Sequence, residues 1–202
     1  EDTTVCRLTD AALAPSAAFE QCFGGAVSSQ AERVPMKDLV AGDVVLSSPT
    51  AATAVLVQQH AEASARKANM LLLEHETGTL VLTPDHVLKI DGAFQPAREA
   101  AVGGVLEPAS RITKVSTVTR GIISPITLSG QLLAAGQAGA PVVATVWPEW
   151  IAPLMLSSAL YPLPYSLVSA AAYLFPASVQ QFYNEQLECL FTLAAPGLKG
   201  LK

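Results

Sequence analysis

Between residues 22 and 146 the hydrophobic positions come in short β-branched runs, and Gly, Pro, Asp and Ser punctuate them at close intervals. That texture predicts an all-β unit rather than a helical one. The predicted strands are 43–47, 53–59, 70–75, 79–82, 87–90, 111–119 and 142–146. Ser129-Gly130 reads as a hairpin turn joining 126–128 to 131–133, and Asp91-Gly92 reads as a second. Residues 1–21 have a different texture. They are Ala-rich, with a weak helical pattern at Leu8, Ala12, Leu13 and Ala17, and are read as the end of a separate preceding segment.

From residue 147 onward the pattern changes again. No charge occurs between Glu149 and Glu185, a stretch longer than the roughly 20 apolar residues that span a bilayer. Pro153, Pro162, Pro164 and Pro176 break it, so short amphipathic or interfacial helices are expected in place of one clean span. Ser178 and Gln181 have capping-box spacing. Val179, Phe182, Tyr183, Leu187, Leu190 and Phe191 then mark one apolar helix face. Such a helix docks on the β-unit, or on lipid or a sterol; the pattern leaves both open. Three parts are expected: 1–21, 22–146 and an apolar helical tail, 147–202.

Composition narrows the function classes. Half the residues are hydrophobic, 14% are charged, and the net charge is -5. With no basic surplus, a nucleic-acid partner is set aside. The chain opens on Glu1, without a basic-then-apolar leader, so it reads as a piece of a longer precursor with no visible signal peptide. Cys6, Cys22 and Cys189 are odd in number and far apart. They form neither a disulfide framework nor zinc spacing, and no metal or cofactor is expected. A free cysteine is either a small buried hydrophobe or a reactive thiol, and the spacing alone does not decide.

Groups able to move a proton near neutral pH are few, because the histidines are His60, His75 and His86. His86 closes Thr83-Pro84-Asp85-His86, directly after the run 79–82. Proline at the second position favours a tight turn, which holds its first and fourth residues within about 7 Å. Thr83 and His86 are therefore expected side by side at a strand end. Taken alone, this spacing also fits an ordinary turn with a solvent-facing histidine.

Several blocks in order make a more specific pattern. Cys22-Phe23 opens the β-rich region. Asp38-Leu39-Val40-Ala41-Gly42-Asp43-Val44-Val45-Leu46 follows, then Thr83-Pro84-Asp85-His86, and later Gly121-Ile122-Ile123-Ser124-Pro125-Ile126-Thr127-Leu128-Ser129-Gly130. This order resembles the hedgehog/intein (Hint) domain, and within it the hedgehog C-terminal autoprocessing type, over roughly residues 22–146. The resemblance implies an all-β flattened horseshoe of two similar halves. It also implies autocatalytic cleavage of the chain's own precursor between Gln21 and Cys22, with the segment ahead of Cys22 as substrate.

By that resemblance Cys22 is the nucleophile that converts the Gln21 carbonyl from amide to thioester. Amide resonance is large enough to give a rotation barrier of about 18–20 kcal/mol, so the bond has to be activated. His86 is the implied donor to the departing nitrogen, and Thr83 orients the same peptide. Where hedgehog proteins carry an aspartate that activates a sterol hydroxyl, His60 stands, and it is the implied base for water, a sterol or another alcohol. Gln21 replaces the family's usual glycine. Pro141 stands where a second cysteine often lies, so no disulfide to Cys22 is expected from that position. The tail sits where the family recognises sterol, which implies a lipid acceptor or a membrane surface as partner, and a secretory or extracellular location. Splicing is not expected, because Asn69 is internal and Asn184 is followed by Glu185. Two other readings compete: a cysteine protease acting on other chains, and a non-catalytic β-module with a lipid-binding tail.

Overall fold

The computed structural model describes residues 3–26, 29–59, 67–136 and 139–148. In chain order the elements are β1 (Thr4–Leu8), α1 (Pro15–Phe23), β2 (Ala31–Pro35), β3 (Val44–Ser48), β4 (Ala51–Gln59), β5 (Lys67–His75), β6 (Gly78–Leu82), β7 (His86–Ile90), β8 (Ala93–Pro96), β9 (Val105–Leu106), β10 (Ser110–Gly121), β11 (Ser124–Thr127), β12 (Gln131–Ala135) and β13 (Val142–Pro148). Among the described residues the fold is all-β apart from α1 and two short 3-10 turns, as the hydrophobic pattern predicts. Each predicted strand corresponds to an observed one. The periodicity misses β1, β2, β8 and the two-residue β9.

The strands form one continuous antiparallel path, β11-β4-β3-β1-β12-β13-β7-β9-β10-β5-β6, with β2 branching from β1 and β8 from β7. The hub is β1. It pairs with β2 from Thr4↔Pro35 to Leu8↔Ala31, with β3 at Arg7↔Val45 and Leu8↔Val44, and with β12 at Thr4↔Ala135 and Val5↔Ala134. Successive strand residues face opposite sides. Accordingly Val5, Val45, Leu132, Ala134, Val142 and Ala144 enter the larger core. Cys6, Leu8, Leu46, Leu133 and Val143 face the other way, under Ala18 of α1. Covering both faces of β1 removes them from water, and each fully buried Val or Leu stabilises by roughly 1.5–3 kcal/mol.

This arrangement corrects the expected domain boundary. Residues 1–21 are not a segment apart, because β1 lies inside the sheet and the boundary at Cys22 falls within α1. Pro at the first turn starts α1, where a missing N–H costs nothing. A disulfide between Cys6 and Cys22, with Cα atoms 5.7 Å apart, ties the end of α1 to β1. The expectation that the cysteines stay unpaired is therefore also corrected.

The two turn readings divide. Asp91 (φ 52°) and Gly92 (φ 81°) join β7 to β8 as a two-residue hairpin, with Ile90 opposite Ala93. Positive φ at both positions is the geometry that matches strand twist, and Asp-Gly adopts it readily. Ser129-Gly130 does lie in a tight turn, with Gly130 N–H donating to the Thr127 carbonyl at 3.1 Å. It joins strands that do not pair with each other: β11 goes to β4, while β12 goes to β1 and β13. The expected hairpin there is not formed, because β1 takes the edge of β12 that β11 would have used. The tail expected to be helical, with its capping box at Ser178 and Gln181, lies outside the described residues. Among those described, no helix is long and apolar enough to cross a membrane.

A cross-link closing a loop of about 15 residues is worth about 3 kcal/mol through the unfolded chain. With a separation of 16 residues between Cys6 and Cys22, reductant is expected to lower unfolding stability by that order in urea titrations. A Cys22→Ala chain is expected to unfold at one midpoint with or without reductant.

Candidate functional site

The histidine turn forms as its sequence predicts. β6 ends at Leu82, Thr83-Pro84-Asp85-His86 turns the chain, and His86 starts β7. The His86 N–H donates to the Thr83 carbonyl at 3.0 Å, which closes the turn and sets Thr83 beside His86. Two contacts brace it from outside: the Arg98 N–H donates to the Pro84 carbonyl at 2.9 Å, and the Arg98 guanidinium lies 3.2 Å from the Asp85 carboxylate. The turn is thus held from the short 3-10 segment that follows β8.

His86 does not point freely into solvent. Its ring is half-buried and Nε2 donates to the main-chain carbonyl of Thr145 in β13. Burial pushes its pKa below the ordinary histidine value, and the bond to the Thr145 carbonyl opposes that shift only in part. The ring is therefore held in the neutral form near pH 7, where it can take up and return a proton.

Cys22 is placed elsewhere. It is the penultimate residue of α1, and its sulfur is bonded to Cys6 among Phe19, Phe23, Leu13 and the β-face beneath the helix. A half-cystine has no thiolate, so in this state Cys22 cannot attack the Gln21 carbonyl. The Gln21–Cys22 peptide runs within the helix, and the Gln21 Oε1 atom is buried without a hydrogen-bond partner. Of the four residues assigned chemistry from the sequence, the structure brings Thr83 and His86 together and commits Cys22 to a bond. His60 lies outside the described residues.

One polar cluster went unread in the sequence. His75, 5% exposed, ends β5. Its Nδ1 lies 2.7 Å from Ser110 Oγ and 3.2 Å from Thr77 Oγ1, and the two hydroxyls are 2.8 Å apart. Its Nε2 is buried without a partner, and burial pushes the His75 pKa down. The hairpin that carries it meets the 136–140 connection backbone to backbone. Ala140 N–H donates to the Thr77 carbonyl at 2.8 Å, Gly136 N–H to the Thr79 carbonyl at 2.9 Å, and a Cβ on Gly139 would lie 2.7 Å from Gly78 Cα. No spacing rule connects residues 75, 77 and 110; Thr77 beside His75 was the only local hint. Among the described residues, no group of three or more His, Cys, Asp or Glu could hold a metal ion.

No family model matches the chain, and no curated protein matches it. Solved structures do show similarity. The MchDnaB-1 intein is 15% identical, with 56% of this chain and 89% of that chain covered and a TM-score of 0.42. The VidaL intein, as a selenomethionine variant, is 11% identical over 71% of this chain and 92% of that chain, with a TM-score of 0.48. A bacterial intein-like domain from Clostridium thermocellum is 15% identical over 70% and 98%, with a TM-score of 0.41.

Both described histidines resist protonation in the folded chain. The unfolded chain, with ordinary histidines near 6.5, binds protons first as the pH falls. Folding stability is therefore expected to be full above pH 6.5 and to fall progressively below it. Thermal unfolding followed across this range checks the sign, and His75→Gln is expected to reduce the slope.

Proposed function

We propose that the chain is a self-processing domain of the Hint type, in which the Thr83–His86 turn activates a peptide bond of the chain itself for transfer to a thiol. The observation that carries this reading is the closed turn, with a half-buried, neutral imidazole fixed beside Thr83. A solvent-facing histidine in an ordinary turn would have neither the anchoring bond nor the lowered pKa. The ordered blocks from Asp38 to Gly130 support the same reading from the sequence.

Cys22 serves as the thiol only in the reduced chain. Its sulfur adds to the Gln21 carbonyl carbon, the bond from that carbon to the Cys22 nitrogen breaks, and the nitrogen takes a proton through His86. The thioester is then opened by water or an alcohol, which bonds to the carbonyl carbon as the thiol leaves. His60 is the base assigned to that second nucleophile. A sterol or other lipid alcohol delivered by residues 147–202, at a membrane surface, is the acceptor that the apolar tail favours. A disulfide suits an oxidising compartment, which supports a secretory or extracellular location.

A second reading is favoured by the place of β1. Cleavage at Gln21–Cys22 would leave β1 paired to β2, β3 and β12, so the cut segment would stay in the sheet. A processed bond on the N-terminal side of Thr4 would free its product without breaking any of those pairings.

The experiment joins a reporter ahead of residue 1 and follows product masses with time, with and without dithiothreitol, hydroxylamine or sterol. Hydroxylamine is expected to speed release, and His86→Ala to slow it by about 100-fold or more. The product mass locates the bond: at Gln21–Cys22 under reducing conditions only, or ahead of Thr4. A sterol ester is heavier than the free acid. A reporter that stays joined under every condition sinks the reading and leaves a non-catalytic β-module.

A further inference from the structure

We propose that Thr145 is a positioning residue for His86: its carbonyl, aimed by a local break in the β13–β7 ladder and by its own hydroxyl, holds the imidazole in one tautomer and one orientation. The proposal rests on the reading of His86 as the proton carrier and adds to it which nitrogen carries the proton, and why.

The break comes first. β13 and β7 pair at Ala144↔Leu88 and again at Pro148↔His86, with a register shift between. Three residues of β13, 145–147, thus oppose the single residue Val87. On its other edge β13 stays in register with β12: the Val146 N–H donates to the Gly130 carbonyl at 2.9 Å, continuing the Gln131↔Thr145 pairing. At the same place the Thr145 hydroxyl, 1% exposed as a residue, donates to the Val87 carbonyl at 2.9 Å. A side chain therefore ties β13 to β7 where the ladder does not. With the strand pinned there, the Thr145 carbonyl meets His86 Nε2.

The chemistry follows from the partner. A carbonyl oxygen only accepts, so this contact requires the proton on Nε2. A neutral imidazole carries one ring proton, so Nδ1 is left with a bare lone pair. Burial favours that neutral form. At rest His86 is thus a base at Nδ1 and has no proton to give there. It gains one from the attacking thiol, becomes imidazolium while Nε2–H stays on the Thr145 carbonyl, and returns that proton from Nδ1 to the departing nitrogen. One proton enters and one leaves, and the ring ends as it began.

The test uses the full chain, labelled with 15N. The His86 ring nitrogens are assigned by comparison with His86→Ala, and the pH–rate profile of reporter release is recorded in parallel. Wild type is expected to show the Nε2–H tautomer. Thr145→Val keeps the shape and loses the hydroxyl. It is expected to give mixed tautomers, an acid limb moved up toward ordinary histidine, and a rate lower by roughly three- to tenfold, the span of one hydrogen bond. Thr145→Ser is expected to restore all three. A merely structural threonine would lower stability and leave tautomer and acid limb where they were, and that result overturns the proposal. So does a wild-type ring protonated on Nδ1 at rest, a measurement that needs no variant to fold. If no form releases the reporter yet the tautomer is Nε2–H and shifts in Thr145→Val, positioning stands and the processing reading falls.

Discussion

The fold depends on β1 being buried on both faces while hydrogen-bonded to three strands. A strand with apolar residues on both sides leaves one side in water unless something lies across it, and here α1 does so. The Cys6–Cys22 bond fixes the helix to the strand that it covers. Arg33 of β2 completes the packing. It sits 5.2 Å from the centre of the Phe23 ring and donates to Thr4 Oγ1 at 2.7 Å and to the Gly136 carbonyl. Burial lowers its pKa, yet a guanidinium stays charged throughout the accessible range. One cation thereby links helix, hub strand and the connection after β12.

Two residues that the sequence had joined in one reaction sit in different packing environments. The half-cystine at residue 22 belongs to the small core under α1, and the imidazole at residue 86 belongs to the seam between β7 and β13. In the oxidised chain the sulfur of Cys22 staples α1 to β1. Any processing by Cys22 would begin with loss of the staple, so the reaction and the stability of the hub strand are opposed in redox terms.

Legibility in the sequence followed the range of the forces. The Thr83–His86 turn and the Asp91-Gly92 hairpin are set by four residues or fewer, through fixed proline φ and positive-φ tolerance, and both could be read directly. The strands from β3 onward announced themselves by β-branched runs. Residues 4–8 and 31–35 did not, because Arg7, Glu32 and Arg33 interrupt the apolar pattern while making an ion pair between β1 and β2 and a ring contact to α1. The Cys6–Cys22 pairing was hidden because Cys22-Phe23 matched the opening of a familiar block, and that match drew the boundary through a helix. The His75–Ser110 contact spans 35 residues and the His86–Thr145 contact 59. Pairings of that length come from sheet register, which a single sequence does not print.

The three-way pairing of β1 also bears on how the chain is made. Of the described strands this one is synthesised ahead of its partners, and two of them, β2 and β3, emerge soon after. The third, β12, is 131 residues further on at the Thr4–Ala135 contact. Until then one edge of the nascent hairpin has open N–H and C=O groups, the kind of edge that recruits strands from other chains. The sheet closes late, at high loop entropy. Slow or interrupted translation between residues 48 and 131 would prolong this exposure, and β12 is the strand that covers β1 at Thr4 and Val5.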